Sequence, residues 1–219
     1  MSDRRVILHV APHPDDETLG CGGTLLRHIA VGDAVHWVIV SRPAPPHDAH
    51  DAIVSAVSRA YGFAGVYQLG FADARLDAVP LVELIDALGD VVRRVEPSLV
   101  YLPHPGDAHS DHRAVFEAGS SCTKWFRYPS VLGVVAYETP SETGFGLDPD
   151  RHAFRANRYC DISDVLERKL AIVELFGPAE IGAHPFPRSL DGVRALATLR
   201  GAESGYRAAE AFAVLRERS

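Results

Sequence analysis

Cysteine is scarce and poorly placed for cross-linking. The three present, Cys21, Cys122 and Cys160, are odd in number and far apart. That excludes a disulfide framework and a cysteine-based zinc site, and it fits a reducing, cytoplasmic setting. No apolar run reaches the ~18 residues that a membrane-spanning helix needs, so no membrane span is expected. Met1-Ser2-Asp3-Arg4-Arg5 runs directly into a strand-like segment with no small-residue cleavage site behind it, which does not read as a signal peptide. Positive charge is not in excess. The 22 Lys and Arg stand against 29 Asp and Glu, a formal charge of −7, so no nucleic-acid partner is expected. A nucleotide-binding loop is missing too. Gly20, Gly22 and Gly23 follow the first strand, but not with Gly-x-Gly-x-x-Gly spacing, and no Gly-Lys-Ser/Thr occurs. These glycines read as small residues that let a helix lie close to a sheet, and Cys21 as a small buried residue. With no flexible linker, internal repeat or low-complexity segment, the chain reads as one domain, residues 1–219.

An apolar fraction of 47% and a mean hydropathy of −0.02 fit an ordinary packed core. Short, β-branched apolar runs predict strands at 6–11, 34–40, 66–69, 99–102 and 131–137. Helical periodicity predicts helices at 18–30 and at 49–61 behind Asp48 as N-cap. A third opens with Pro80 in its first turn, and a weaker one spans 111–120. Such alternation predicts an α/β fold of Rossmann-like, doubly wound type, with a mostly parallel sheet and helices on both faces. The expected strand order is 3-2-1-4-5, with the switch point between strands 1 and 4. Beyond residue 140 the pattern changes. Helices are expected at 163–176 and 190–200, a Gly/Pro loop at 177–187 and a final strand at 210–216.

Two clusters carry the chemistry. His13-Pro14-Asp15-Asp16-Glu17 follows strand 1, and His109-Ser110-Asp111-His112 follows strand 4. Imidazole and carboxylate are the usual ligands of a catalytic zinc, three of them leaving a position open. Pro14 restricts His13 to an extended backbone. Asp15 and Asp16, being adjacent, point apart, so one can bind a metal while the other faces its water. His109 and His112 share a face on a helical turn, though one ion need not bind both. Zinc lowers the pKa of such a water to about 7. A carboxylate can then take its proton, and a histidine can protonate a leaving group. Either cluster alone could be helix capping. Both together, on the two strands that flank one crevice, point to a site. The remaining histidines, His9, His28, His36, His47, His50, His104 and His152, lack such spacing, and His9 and His36 read as hydrogen-bonded core residues.

These motifs resemble the PIG-L, or LmbE-like, deacetylase family. The resemblance extends to Leu19-Gly20-Cys21-Gly22-Gly23-Thr24, Asp161-Ile162-Ser163, His184-Pro185-Phe186-Pro187-Arg188-Ser189 and Arg200-Gly201-Ala202-Glu203-Ser204-Gly205 with Ala209-Glu210-Ala211-Phe212. It implies hydrolysis of an N-acyl group, usually acetyl, from an amino sugar or its glycoconjugate by a zinc-bound water. It implies His13, Asp16 and His112 as metal ligands, Asp15 as general base, His109 as acid and oxyanion stabiliser, and Asp111 as the carboxylate that orients His109. It also places Arg75 and His184 near the sugar, with the His184 loop coming from a neighbouring subunit in some members. A homo-oligomer is therefore left open.

Other readings compete. Two histidines and a carboxylate also describe a non-haem iron oxygenase, and Fe2+ or Co2+ could replace Zn2+. A non-catalytic metal-binding module would need neither Asp15 nor His109. The spare carboxylate Asp15 favours hydrolysis.

Overall fold

The computed structural model describes residues 4–147 and 153–219. His152 lies outside the described residues. The elements are β1 (Val6–Ala11), α1 (Asp16–Ala30), β2 (Ala34–Arg42), α2 (Asp48–Tyr61), β3 (Gly65–Ala72), α3 (Leu81–Val95), β4 (Leu99–Pro103), α4 (Ser110–Ser121), β5 (Gly133–Tyr137), β6 (Arg158–Asp161), α5 (Leu166–Val173), α6 (Pro178–Ile181), α7 (Leu190–Ser204) and β7 (Ala209–Glu217). One sheet runs in the order β3-β2-β1-β4-β5-β7-β6. β1 pairs in parallel with β2 (Val6 with Ala34) and with β4 (Ile7 with Leu99). The order therefore reverses between β1 and β4, as the alternation predicts. β7 joins antiparallel to β5 and carries β6 at the edge. β6 has only four residues, too few to show a period.

The strands are buried on both faces. Ile7 and Ala11 of β1 pack with Trp37, Ile39, Tyr101 and Tyr137 under α1, α2 and α5. Leu8 and Val10 face the opposite way, with Val38, Val40, Val100 and Leu102, under α3 and α4. This division follows from the two-residue period of a strand. A third cluster, Leu19, Ile162, Leu166, Leu170, Val193 and Ala197, joins α1 to α5 and α7.

The glycines of α1 hold it against its neighbours. A Cβ at Gly20 would lie 2.5 Å from the Tyr137 ring, and one at Gly23 would lie 2.5 Å from Ile162. The middle of this helix is also bolted from outside. The Gly23 and Thr24 N–H groups donate to the Glu210 carboxylate at 2.8 and 2.7 Å, and Lys169 Nζ donates to the Leu19 carbonyl at 2.9 Å and to Glu210 at 2.8 Å. In an α-helix the Leu19 carbonyl is the acceptor for the Gly23 N–H. An ion pair from α5 and β7 thus binds both groups of that rung, with both charges buried.

Several expectations shift. Pro80 stands just before α3 rather than in its first turn, and Asp48 is the first residue of α2, with His47 in the cap position. The helix expected at 163–176 is α5 followed by a 3-10 turn, Glu174–Phe176. The Gly/Pro loop contains the single turn α6. His9 is fully buried, but both its ring nitrogens lack a hydrogen-bond partner among the described residues, and its ring stacks on Tyr137 at 4.6 Å.

Candidate active site

The two sequence clusters meet beyond the ends of β1 and β4. β1 ends at Ala11, the chain turns through Pro14 and Asp15, and α1 opens at Asp16 with Asp15 in the cap position. His109 caps α4: its Nδ1 accepts the Asp111 backbone N–H at 3.1 Å. Two helix N-termini therefore face one crevice, and their dipoles favour the carboxylates there. His13, Asp16 and His112 offer ligand atoms that all lie within 4.8 Å of one another, as do His13, His109 and Asp111.

Hydrogen bonding decides between these sets. His112 Nδ1 lies 2.7 Å from Asp107 Oδ2, so that nitrogen is the donor. Asp107 is fixed in turn by the Thr143 hydroxyl at 2.6 Å. His112 Nε2 then presents a lone pair to Asp16 Oδ1 at 3.3 Å. His13 Nε2 faces Asp111 and Asp73 at 3.2 Å each, which leaves its Nδ1 lone pair facing Asp16 Oδ2 at 3.4 Å. Acceptors that face acceptors need a cation between them. Two imidazoles and one carboxylate, both rings held from behind by carboxylates, fit a divalent transition metal. In the other set, Asp111 already accepts from the Leu76 N–H at 3.0 Å and faces His13.

Proton affinities follow the same imbalance. Burial opposes charge on His13, but its contacts with Asp111, Asp16 and Asp73 push it up to about 12. His112 is buried as well, and Asp16 and Asp107 push it up to about 10. Burial, with the charges of Asp16 and Glu180, pushes Asp15 up to about 8 against the pull of Arg188 and His13. Burial and the two neighbouring imidazoles lower His109.

These groups line a cavity of about 380 Å³, within the range of small-molecule sites. Its wall also holds Ser41, His50, Ile53, Asp73, Thr139, Glu142, Phe176, Glu180 and Arg188. Ala74 and Ser141, also in the wall, have φ of 54° and 76°, strained for residues with a Cβ.

Two sequence-predicted residues lie elsewhere. Arg75 is exposed and outside the lining, and among the described residues it pairs with neither Asp73 nor Asp77. His184 is exposed and outside the lining of its own chain. Its loop does reach the cavity, through Arg188, which lies 3.5 Å from Asp15, 2.9 Å from Glu180 and over the Phe186 ring at 5.1 Å. Asp111 also departs from its expected part. Its carboxylate holds His13, and only its backbone N–H reaches His109. Asp107, Asp73 and Arg188 were not singled out in the sequence. Asp107 sits five residues before His112, a spacing with no signature, and Arg188 belongs to no spacing that marks a cavity cation.

Known proteins are similar in sequence and in fold. The chain is 33% identical over 147 residues to YaiS of Escherichia coli (strain K12), an uncharacterized deacetylase, a match covering 63% of this chain and 76% of that one. It is 25% identical to diacetylchitobiose deacetylase of Thermococcus kodakarensis, over 95% of this chain and 82% of the relative. The solved N,N'-diacetylchitobiose deacetylase of Pyrococcus horikoshii, in complex with its inhibitor MPG, superposes with a TM-score of 0.78 over 98% of this chain and 85% of its own. At 20% identity that likeness speaks for the fold. The profile of PIG-L, GlcNAc-PI de-N-acetylase, matches residues 8–123, just over half of the chain and the part that carries both clusters. With the fold, the paired clusters and that match in agreement, the chain belongs to the PIG-L family.

Proposed function

We propose that this protein is a metal-dependent N-deacetylase that hydrolyses an N-acyl group, acetyl in the first instance, from an amino sugar or its glycoconjugate. The observation that carries the reading is Asp15. It is a buried carboxylate beside the His13, Asp16 and His112 donors but not one of them, and it lines the same cavity. An oxygenase or a passive metal module has no use for it.

His13, Asp16 and His112 would hold the ion, and we take it to be zinc. When bound, it supplies Lewis acidity toward the amide carbonyl and a water. Asp15 takes a proton from the attacking water as the C–O bond forms. Arg188, 3.5 Å away, holds the Asp15 side chain in place. Since His109 Nδ1 accepts the Asp111 N–H, the proton of the neutral ring sits on Nε2. There it can stabilise the carbonyl oxygen and then pass to the leaving nitrogen as the C–N bond breaks. One water is consumed, and one carboxylate and one amine are released. Asp107 and Asp111 keep the two imidazoles in the tautomers that bind a cation.

The continuous sheet supports reading residues 1–219 as one domain, and the three free cysteines fit the cytoplasm. Among the described residues no helix is long and apolar enough to cross a membrane. The function is tested by following acetate and amine release from N-acetylglucosamine, its glycosides, its nucleotide conjugates and acetylated antibiotic sugars, with zinc-loaded protein. Metal-loaded protein that binds these sugars but releases no amine from any of them sinks the reading.

A further inference from the structure

The cavity wall carries a marked excess of one charge. Asp15, Asp16, Asp73, Glu142 and Glu180 face it, against the single guanidinium of Arg188. Arg188 is itself committed, to Glu180 at 2.9 Å and Asp15 at 3.5 Å. With neutral imidazoles, a divalent ion in the three-residue site still leaves the lining net negative. Two of these acids are open to solvent as well as to the cavity. Asp73 and Glu180 side chains are about half exposed, at 46% and 45%. The rest of the wall offers partners for an uncharged ligand. The Ser41 and Thr139 hydroxyls lie in it, nine-tenths buried and more, without a hydrogen-bond partner among the described residues, and Ile53 and Phe176 give it an apolar side. Carboxylates accept hydrogen bonds from sugar hydroxyls and attract ammonium groups, but they repel other carboxylates. A cleft lined by one sign focuses that field on whatever enters, and repulsion is how a site rejects close analogues.

We propose that this site selects amino sugars whose attached group is neutral or cationic and rejects those whose attached group is anionic, with Glu142 and Glu180 setting the preference. The proposal rests on the deacetylase reading and narrows its substrate class. Glu180 acts twice: it repels an incoming anion and occupies the one cation that could receive it.

The test uses three glycosides of N-acetylglucosamine of similar size, carrying methyl, carboxymethyl and 2-aminoethyl groups. Hydrolysis is read as kcat/KM and binding by calorimetry, at about 0.05 M and about 0.5 M salt. The carboxymethyl glycoside is expected to be at least about tenfold poorer than the methyl glycoside, and the aminoethyl glycoside equal or better. The gap should shrink in high salt. Glu180→Gln and Glu142→Gln are each expected to raise the carboxymethyl-to-methyl ratio severalfold, most in Glu180→Gln, where Arg188 is released. Taking the ratio within each variant cancels any general loss of activity. A carboxymethyl glycoside used as well as the methyl one, or a ratio unmoved by both variants, overturns the proposal and leaves the deacetylase reading standing. Charge-ordered binding without any hydrolysis does the reverse. If none of the three is bound or hydrolysed, both fall together.

Discussion

At the scale of single residues, the proposed function divides the site into groups that would hold a metal and groups that would move protons, and substitution separates them. His13→Ala should lose most bound zinc, measured by elemental analysis of the purified protein. Full occupancy in that variant would refute the ligand assignment. Asp15→Asn should keep its metal and lose about a hundredfold or more in turnover, the scale of general base catalysis. Normal turnover would remove Asp15 from the mechanism. Asp107→Ala touches no metal but frees His112 Nδ1, so zinc affinity should fall by about 10- to 100-fold, as chelator competition would show. The convergence of His13, Asp16 and His112 is legible in the sequence because ligand chemistry and strand ends coincide there. Asp107, Asp73 and Arg188 are not. A supporting carboxylate or a cavity cation has no spacing rule, only a position that the folded loops create. Arg75 and His184 show the converse: a suggestive residue type in the right segment can still face solvent.

The elements were more legible than their edges. β1 was predicted with its observed bounds because it is short, apolar and closed by the turn at Pro12–Asp15, whereas β3 extends from Gly65 to Ala72 beyond the apolar run that signals it. β6 leaves no signal in the sequence, since Arg158–Asp161 is half-buried and shows no alternation. The bolt through α1 is not visible in the sequence, because no spacing rule relates Lys169 and Glu210 to each other or to α1. Its energetics are testable. Lys169→Met leaves the Glu210 carboxylate buried without its counter-charge, and such losses cost about 3–5 kcal/mol. Urea unfolding should register a lower midpoint of that order. A change within about 0.5 kcal/mol, the range of substitutions on an ordinary surface, would show that the pair does not clamp the helix.

For the molecule as a whole, the buried imidazole of His9 makes global stability depend on pH. Burial lowers its pKa from 6.5 to about 3. Above pH 6.5 the ring is neutral both folded and unfolded, and it contributes no pH dependence. Below that, the unfolded chain takes a proton that the folded core refuses. Stability should therefore fall by about 1.4 kcal/mol per pH unit until pH reaches about 3. Compared across pH in urea titrations, His9→Phe should lose this acid sensitivity while keeping the stacking against Tyr137. Parallel pH profiles for the two proteins would show that His9 is not the sensor. The bolt through α1 has a consequence in time as well. The helix that begins with Asp16 is among the first segments synthesised, yet the carboxylate that accepts from its Gly23 N–H lies 187 residues beyond that glycine. At roughly 5–20 residues per second, about ten to forty seconds of translation separate them. During that interval the nascent helix has Lys169 and Glu210 missing from its middle, so the crevice beyond β1 takes its final shape only after the ribosome has supplied β7.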